Sequence, residues 1–368
     1  MSVPLFDPAA EHCLVDDEVE AAITEVLSSG SYVLGPNVQA LEREIAGYLG
    51  AAHAFGVASG TDALMLSLLA TGVGPGDEVV VPAFSFVATA ETVLRVGATP
   101  VFADVDAASG CMDPTDVAER ITGATRALVP VHLYGHPADM DALGKLAAAR
   151  SLILIEDNAQ GFGSRYGGRP TGGMGDASCL SFFPTKTLGG YGDGGMVLTS
   201  RPEVAERVRM LRVHGAKEKH RPVTLGFNSR LDELQAAALR VKLRRAGAWH
   251  ARRRELAARL SHRLAAAGAE VPSEAPGAEH TYGLYVIRVP DRDRVRERLA
   301  ERGIGTGVYY PKLLPETELF GGSAPGGSGG RYPVAEQLSR EVLAIPLFSS
   351  MTDEQADEVA SAVEAAVG

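Results

Sequence analysis

The sequence predicts an α/β fold, a mainly parallel sheet flanked by helices, with a smaller C-terminal α+β domain. Three observations predict it. Short β-branched runs alternate with amphipathic helical patterns over residues 53–200, and strand, helix, strand in succession implies parallel strands covered on both faces. Beyond residue 264 the texture changes to a shorter set of strands and helices. The 368 residues, 45% hydrophobic and 22% charged, are ordinary globular composition and enough for about two domains.

In chain order, DDEVEAAITEVLSS and NVQALEREIAGYL within 16–49 read as two amphipathic helices around turn residues 30–36. HAFGVAS (53–59) reads as a strand that delivers Ser59, Gly60 and Thr61 to the start of a helix. DEVVVP (77–82), TPVFADV (99–105), RALVPVH (126–132) and SLILIE (151–156) are the next strands, separated by helical patterns at 61–71, 85–96, 113–121 and 138–149. ASCLSFF (177–183) and GMVLTS (195–200) are two more, followed by a helix at 202–212. A long helical pattern runs from about 231 to 264, and its basic run at 252–254 reads as a solvated face. HTYGLYVIRV (280–289), RDRVRERLAERG, IGTGVYY and TDEQADEVASAVEAAV then read as strand, helix, strand and helix. The boundary is expected at 245/246, giving a large domain of 1–245 and a small one of 246–368. GGSAPGGSGG (321–330) reads as a flexible loop by composition.

A formal net charge of −11 disfavours nonspecific contact with nucleic acid or anionic membrane, while a local site for a phosphorylated ligand stays open. MSVPLFDPAA has no basic n-region, and the apolar runs are strand-sized, so the reading is a soluble, cytoplasmic protein. Cys13, Cys111 and Cys179 are far apart without a CxxC pair and read as buried thiols. His132 and His136 have HxxxH spacing, but Gly135 and Pro137 break the helix that would aim both at one metal, so no metal site is expected. GVGPGD (72–77) precedes a strand instead of opening a helix and reads as a turn. Neither a Walker A sequence nor GxSxG is found.

In open parallel sheets ligands bind at the carboxyl ends of the strands. SLILIE ends on Glu156, Asp157 and Gln160, and ASCLSFF carries Ser181 towards Lys186, the one charge within 177–192. Each signal has a plain alternative: Ser59, Gly60 and Thr61 as a helix cap, Asp157 as a cap or ion-pair partner, Lys186 as a loop lysine. Together they form a pattern. A desolvated lysine has a lowered pKa and is the kind that forms Schiff bases, and a helix N-terminus binds phosphate. Lysine, carboxylate and phosphate-binding helix are the requirements of pyridoxal 5'-phosphate, whose ring nitrogen needs an acid and whose phosphate needs an anion site.

SGTDAL (59–64), VPAFSFVATAE (81–91), VPVHLYGHPADMDAL (129–143), IEDNAQGFGS (155–164), SFFPTKTLGGYGDGG (181–195) and GFNSRLDELQAA (226–237) resemble the DegT/DnrJ/EryC1/StrS sugar aminotransferases. The six motifs occur in the family's order over nearly the whole chain. The resemblance implies the type I aminotransferase fold, a homodimer with shared active sites, and pyridoxal 5'-phosphate on Lys186, with pyridoxamine 5'-phosphate as the amino-carrying form. It implies that Asp157 pairs with the ring nitrogen, Gln160 contacts the ring hydroxyl and Phe86 stacks on the ring. Gly60, Thr61, Asp62 and Ser181 would hold the phosphate, Asp62 turning its carboxylate away, and Asn228 would reach it from the neighbouring subunit. The implied reaction moves an amino group from glutamate or glutamine to a nucleotide-linked 3- or 4-keto deoxyhexose, dTDP- or UDP-linked, for secondary-metabolite or surface-glycan biosynthesis. A keto cyclitol is the alternative acceptor, and a non-catalytic ligand-sensing regulator of the same fold is the alternative class. Relatives commonly show His-Tyr-Pro where this chain has Tyr309, Tyr310 and Pro311, so Tyr309 and Tyr310 are expected near an altered sugar pocket.

Overall fold

Seven strands make the central sheet in the computed structural model, which describes residues 2–321 and 330–368. They are β1 (His53–Val57), β2 (Glu78–Pro82), β3 (Thr99–Ala103), β4 (Thr125–Leu128), β5 (Ile153–Asp157), β6 (Ala177–Ser181) and β7 (Gly195–Thr199). Their spatial order is β1, β7, β6, β5, β4, β2, β3. Pairing is parallel from β6 through β3, and β7 runs antiparallel to both its neighbours. Every residue of β5 is buried, which is why ILIED reads as a continuous run without alternation. The carboxyl ends of β1, β5 and β6 therefore lie along one edge, and the return into β7 places the 182–194 loop there too.

The elements expected from the sequence for 53–212 are present, with ends moved by a few residues. GVGPGD is the turn between the helix Gly60–Thr71 and β2. Other expectations need correction. The pattern at 231–264 is two helices, Glu233–Leu243 and Ala246–Ala266, because they serve different cores. Ala236 and Leu239 pack with Leu41, Ile45 and Leu180, whereas Leu256, Leu260 and Leu264 pack with Tyr285, Ile287 and Leu343. One straight rod cannot present both faces. The basic run at 252–254 is not a solvated face: Arg253 is buried and donates to the carbonyls of Tyr282 and Leu347, each at 3.1 Å. Arg252 and Arg254 reach Asp353 and Glu274. Of the cysteines, Cys111 and Cys179 are buried as expected, but Cys13 is exposed.

The C-terminal sheet pairs β8 (Tyr285–Arg288) with β9 (Val342–Ile345), antiparallel. HTYGLYVIRV forms a strand only in its second half. Its first half turns back to the large sheet's loops, where Thr281 and Leu284 donate to the carbonyls of Gly135 and Tyr134. IGTGVYY forms no ladder, since Ile304 pairs once with Val3 and Gly307 once with Ala344. β9 and the helix Pro333–Glu341 before it were not expected from the sequence. That helix is held at its start by Asp104, which accepts from the N–H groups of Val334 and Ala335. The flexible-loop expectation for 321–330 falls, for 322–329, outside the described residues.

Candidate active site

At the carboxyl edge of the sheet lies a cleft of about 460 Å³. Gly60, Thr61, Phe86, Asp157, Gln160, Ser181, Lys186, Tyr309 and Tyr310 all line it. Two of the residues singled out in the sequence do not. Asp62 is only partly buried, and its N–H is the one that Ser59 caps. Asn228 is exposed and pairs with Val213, and it is not among the residues lining this cleft.

The phosphate-sized end is built by the helix Gly60–Thr71. Ser59 is extended and its Oγ accepts from the Asp62 N–H at 3.1 Å, which leaves the N–H groups of Gly60 and Thr61 without intrahelical partners. Their partial positive charge faces the cleft. Gly60 is required by contact: a Cβ there would lie 2.8 Å from the Ser181 Cβ. The end of β6 and the start of the helix can converge only because that atom is missing.

Asp157 closes β5 and is 4% exposed. Its Oδ2 accepts from Thr89 Oγ1 at 2.8 Å, and Thr89 is in turn 3.1 Å from Ser85 Oγ. Its Oδ1 accepts from the Ala159 N–H at 3.2 Å and from the Cys179 thiol at 3.4 Å. Burial, reinforced by this carboxylate, pushes the Cys179 thiol well above its usual value, so it stays a donor. Lys186 is partly exposed on the cleft wall. Burial of its ammonium pulls its pKa below the ordinary lysine value, while Asp157 works in the opposite direction. A lysine so placed gives up a proton more readily than one in water and then carries a nucleophilic lone pair.

Gln160 is locked in one orientation. Its Oε1 accepts from the Tyr134 N–H at 2.8 Å, so its Nε2 donates, to the Tyr310 hydroxyl at 3.2 Å. Tyr134 donates its own hydroxyl to the Tyr309 carbonyl. Phe86, 53% exposed, lies at the mouth with its ring 6.3 Å from that of Tyr310. Thr89, Tyr134 and Phe6, which also lines the cleft, were not singled out in the sequence, and Cys179 was read only as a buried thiol. Thr89 and Tyr134 stand within quoted motifs, and Thr89 reaches Asp157 from the helix Val87–Arg95 that follows β2. Nothing in the order of residues marks Phe6.

His132 and His136 aim their ring nitrogens at different partners. His132 Nε2 faces Glu156 Oε2 at 3.1 Å, and its Nδ1 accepts from the Ala138 N–H. Burial raises the Glu156 pKa, but His132 and the N–H groups of Gly172 and Gly175 outweigh it and hold the carboxyl below its usual value. His136 instead bonds the Pro137 carbonyl and the Ala275 N–H.

Lys186, the buried carboxylate of Asp157 and a helix N-terminus thus surround one cleft, and comparison with known proteins places the chain in a family. The model of the DegT/DnrJ/EryC1/StrS aminotransferase family matches residues 14–364. This chain belongs to that aminotransferase family. It is similar to the dTDP-3-amino-3,4,6-trideoxy-alpha-D-glucose transaminase of Streptomyces venezuelae, 44% identical over 362 residues, 98% of this chain and 95% of that one. It is 43% identical over 358 residues, 96% of each chain, to the pleiotropic regulatory protein of Geobacillus stearothermophilus. The solved structure of S. venezuelae DesV in complex with a ketimine intermediate matches with a TM-score of 0.96 at 44% identity, over 99% of this chain and 98% of that one. That of NtdA from Bacillus subtilis with bound cofactor PMP matches at 0.91 and 32% identity, over 100% and 85%. The aminotransferase fold expected from the sequence is thus the fold of this family member. No helix among its described residues is long and apolar enough to cross a membrane.

Proposed function

We propose that this aminotransferase transfers an amino group from glutamate or glutamine to a nucleotide-linked keto sugar, with pyridoxal 5'-phosphate as cofactor. The observation that carries the reading is one cleft in which Lys186, its pKa lowered by burial, faces the buried Asp157 across from unpaired N–H groups at a helix start. The donor set fits the cofactor: an amine for its aldehyde, a carboxylate for its protonated ring nitrogen, and N–H and hydroxyl donors for its phosphate. When bound, the cofactor supplies an electron sink for the carbon that gains or loses the amino group.

The chain's residues take the remaining roles. Lys186 Nζ holds the cofactor and, once free, carries a proton between the reacting carbons. Asp157, fixed by Thr89 and Cys179, keeps the ring nitrogen charged. Gly60, Thr61 and Ser181 hold the phosphate, while Asp62 closes the helix turn. Gln160 offers an N–H to the ring oxygen, because its own oxygen is already engaged. Phe86 covers the ring, and Tyr309 and Tyr310 face the sugar. Asn228, which does not line its own chain's cleft, serves that of a second copy, which makes the active form a homodimer. We keep the domain division at 245/246, where the helix that carries Leu256, Leu260 and Leu264 into the C-terminal cluster begins.

The transaminase of S. venezuelae supports a dTDP-linked deoxyhexose as acceptor, with a UDP-linked sugar or a keto cyclitol as the next substrates to screen. The test is borohydride reduction of the protein purified with pyridoxal 5'-phosphate, followed by peptide mass mapping. Cofactor fixed on Lys186, and loss of the yellow colour on adding glutamate or glutamine, is the expected result. A colourless protein with Lys186 unmodified would instead favour the regulatory reading.

A further inference from the structure

Besides Lys186 on the cleft wall, a second lysine lies close to the same loop. Lys242, on the helix Glu233–Leu243, is 1% exposed. Its Nζ donates to the Gly189 carbonyl at 2.9 Å and lies 4.5 Å from the centre of the Tyr191 ring. Its counter-charge is Glu11 Oε1 at 3.7 Å. The carbonyl and the ring it touches both belong to the loop that bears Lys186. Further bonds pin the same loop: the Tyr191 N–H to Gln235 Oε1 at 2.7 Å, the Gly190 N–H to the Phe182 carbonyl at 2.7 Å, and the Tyr191 hydroxyl to His12 Nδ1 at 2.8 Å. Glu11 ties in the two ends of the chain, since its Oε2 accepts from Ser349 Oγ at 2.7 Å while Phe6, a few residues before it, lines the cleft.

A buried ion pair adds little net stability over an apolar pair of the same volume, so this one matters for where it holds the backbone. The ammonium is the only one of these partners that gathers loop carbonyl, loop ring and N-terminal carboxylate at a single point. We infer that Lys242, with Glu11 as its counter-charge, is a positioning residue that holds the 186–191 loop so that Lys186 stays directed into the cleft. The inference rests on the role assigned above to Lys186.

The test uses the full chain in cofactor-free and pyridoxal-phosphate-loaded forms, with variants Lys242→Met, Glu11→Gln and, as the conservative replacement, Lys242→Arg. Hydrogen exchange read by mass spectrometry on the peptide 185–192 is expected to quicken roughly tenfold in Lys242→Met without cofactor, with β5 unchanged. In the loaded form the single-turnover reaction with the amino donor is expected to slow about 10- to 100-fold at unchanged half-saturating donor concentration, the cost of a small misplacement of a reacting group. Lys242→Arg, which keeps a cationic donor, is expected to recover part of both. A lower melting temperature with unchanged loop exchange and unchanged rate would overturn the inference. Should Lys242→Met not fold, Glu11→Gln decides by the same two readouts, faster loop exchange supporting the inference and unchanged exchange refuting it. Failure of the Lys186 assignment is distinguishable, because it shows as absent borohydride trapping in the unsubstituted protein.

Discussion

Lys186 and Asp157 hold opposite charges in a site that disfavours charge, and each makes a measurable demand on the protein. Burial lowers the Lys186 pKa in the folded chain from its ordinary value of 10.5. Between those two values the unfolded chain binds the proton more fully than the folded one, so stability rises with pH across that window and is diminished below it. Without cofactor, Lys186→Met is therefore expected to raise the melting temperature at pH 7, and the gain should shrink as pH climbs towards 10.5. Calorimetry of the two proteins over that range checks it, and a destabilised variant at pH 7 would show that the ammonium is well solvated. Asp157 depends on its donors. Thr89→Val keeps the shape and removes the hydroxyl that serves Oδ2, so a loss of about 1.5–3 kcal/mol is expected in urea unfolding, the range for a hydrogen bond to a charged group.

At the scale of elements, the cleft exists because a helix start and a strand end nearly touch. Gly60→Ala places a methyl 2.8 Å from Ser181 Cβ, with no flexible chain end to yield, so the helix must back away from β6. A stability loss of about 1–3 kcal/mol and weaker cofactor affinity in a fluorescence titration are the expected outcomes. The helix Ala246–Ala266 carries a second strain point. His250 is 7% exposed, its Nε2 has no hydrogen-bond partner among the described residues, and burial with Arg253 nearby pulls its pKa from 6.5 to about 4. The unfolded chain takes up that proton first as pH falls, so the stability present above pH 6.5 is lost between 6.5 and about 4. The loss is about 3 kcal/mol at 1.36 kcal/mol per pKa unit. His136 and His280, also lowered by burial, act in the same direction. His250→Leu is expected to remove the His250 share, and urea midpoints between pH 4 and 7 that match the unsubstituted protein would refute it.

For the whole molecule, the fold was legible wherever local pattern and tertiary role agree. β5 opens on an apolar run and is buried throughout because it is covered on both faces, and Lys186 stood out because its neighbours carry no charge. What escaped depends on contacts distant in sequence. The break after Leu243 follows from two cores competing for one helical pattern, Arg253 looks solvated until Tyr282 and Leu347 close over it, and Thr89 meets Asp157 from the helix Val87–Arg95. Asn228 belongs to the same class: an exposed polar residue that does not line the cleft of its own chain. If it completes the cleft of a second copy, two damaged chains can repair one another. Lys186→Ala and Asn228→Ala are each expected to be inactive as pure dimers. In a refolded equal mixture about half the dimers are hybrids, and each hybrid carries one site with both defects and one with neither, so activity returns to about a quarter of the unsubstituted level. If Asn228 instead serves the cleft of its own chain, every site in the mixture keeps one defect and the activity stays at that of the parents.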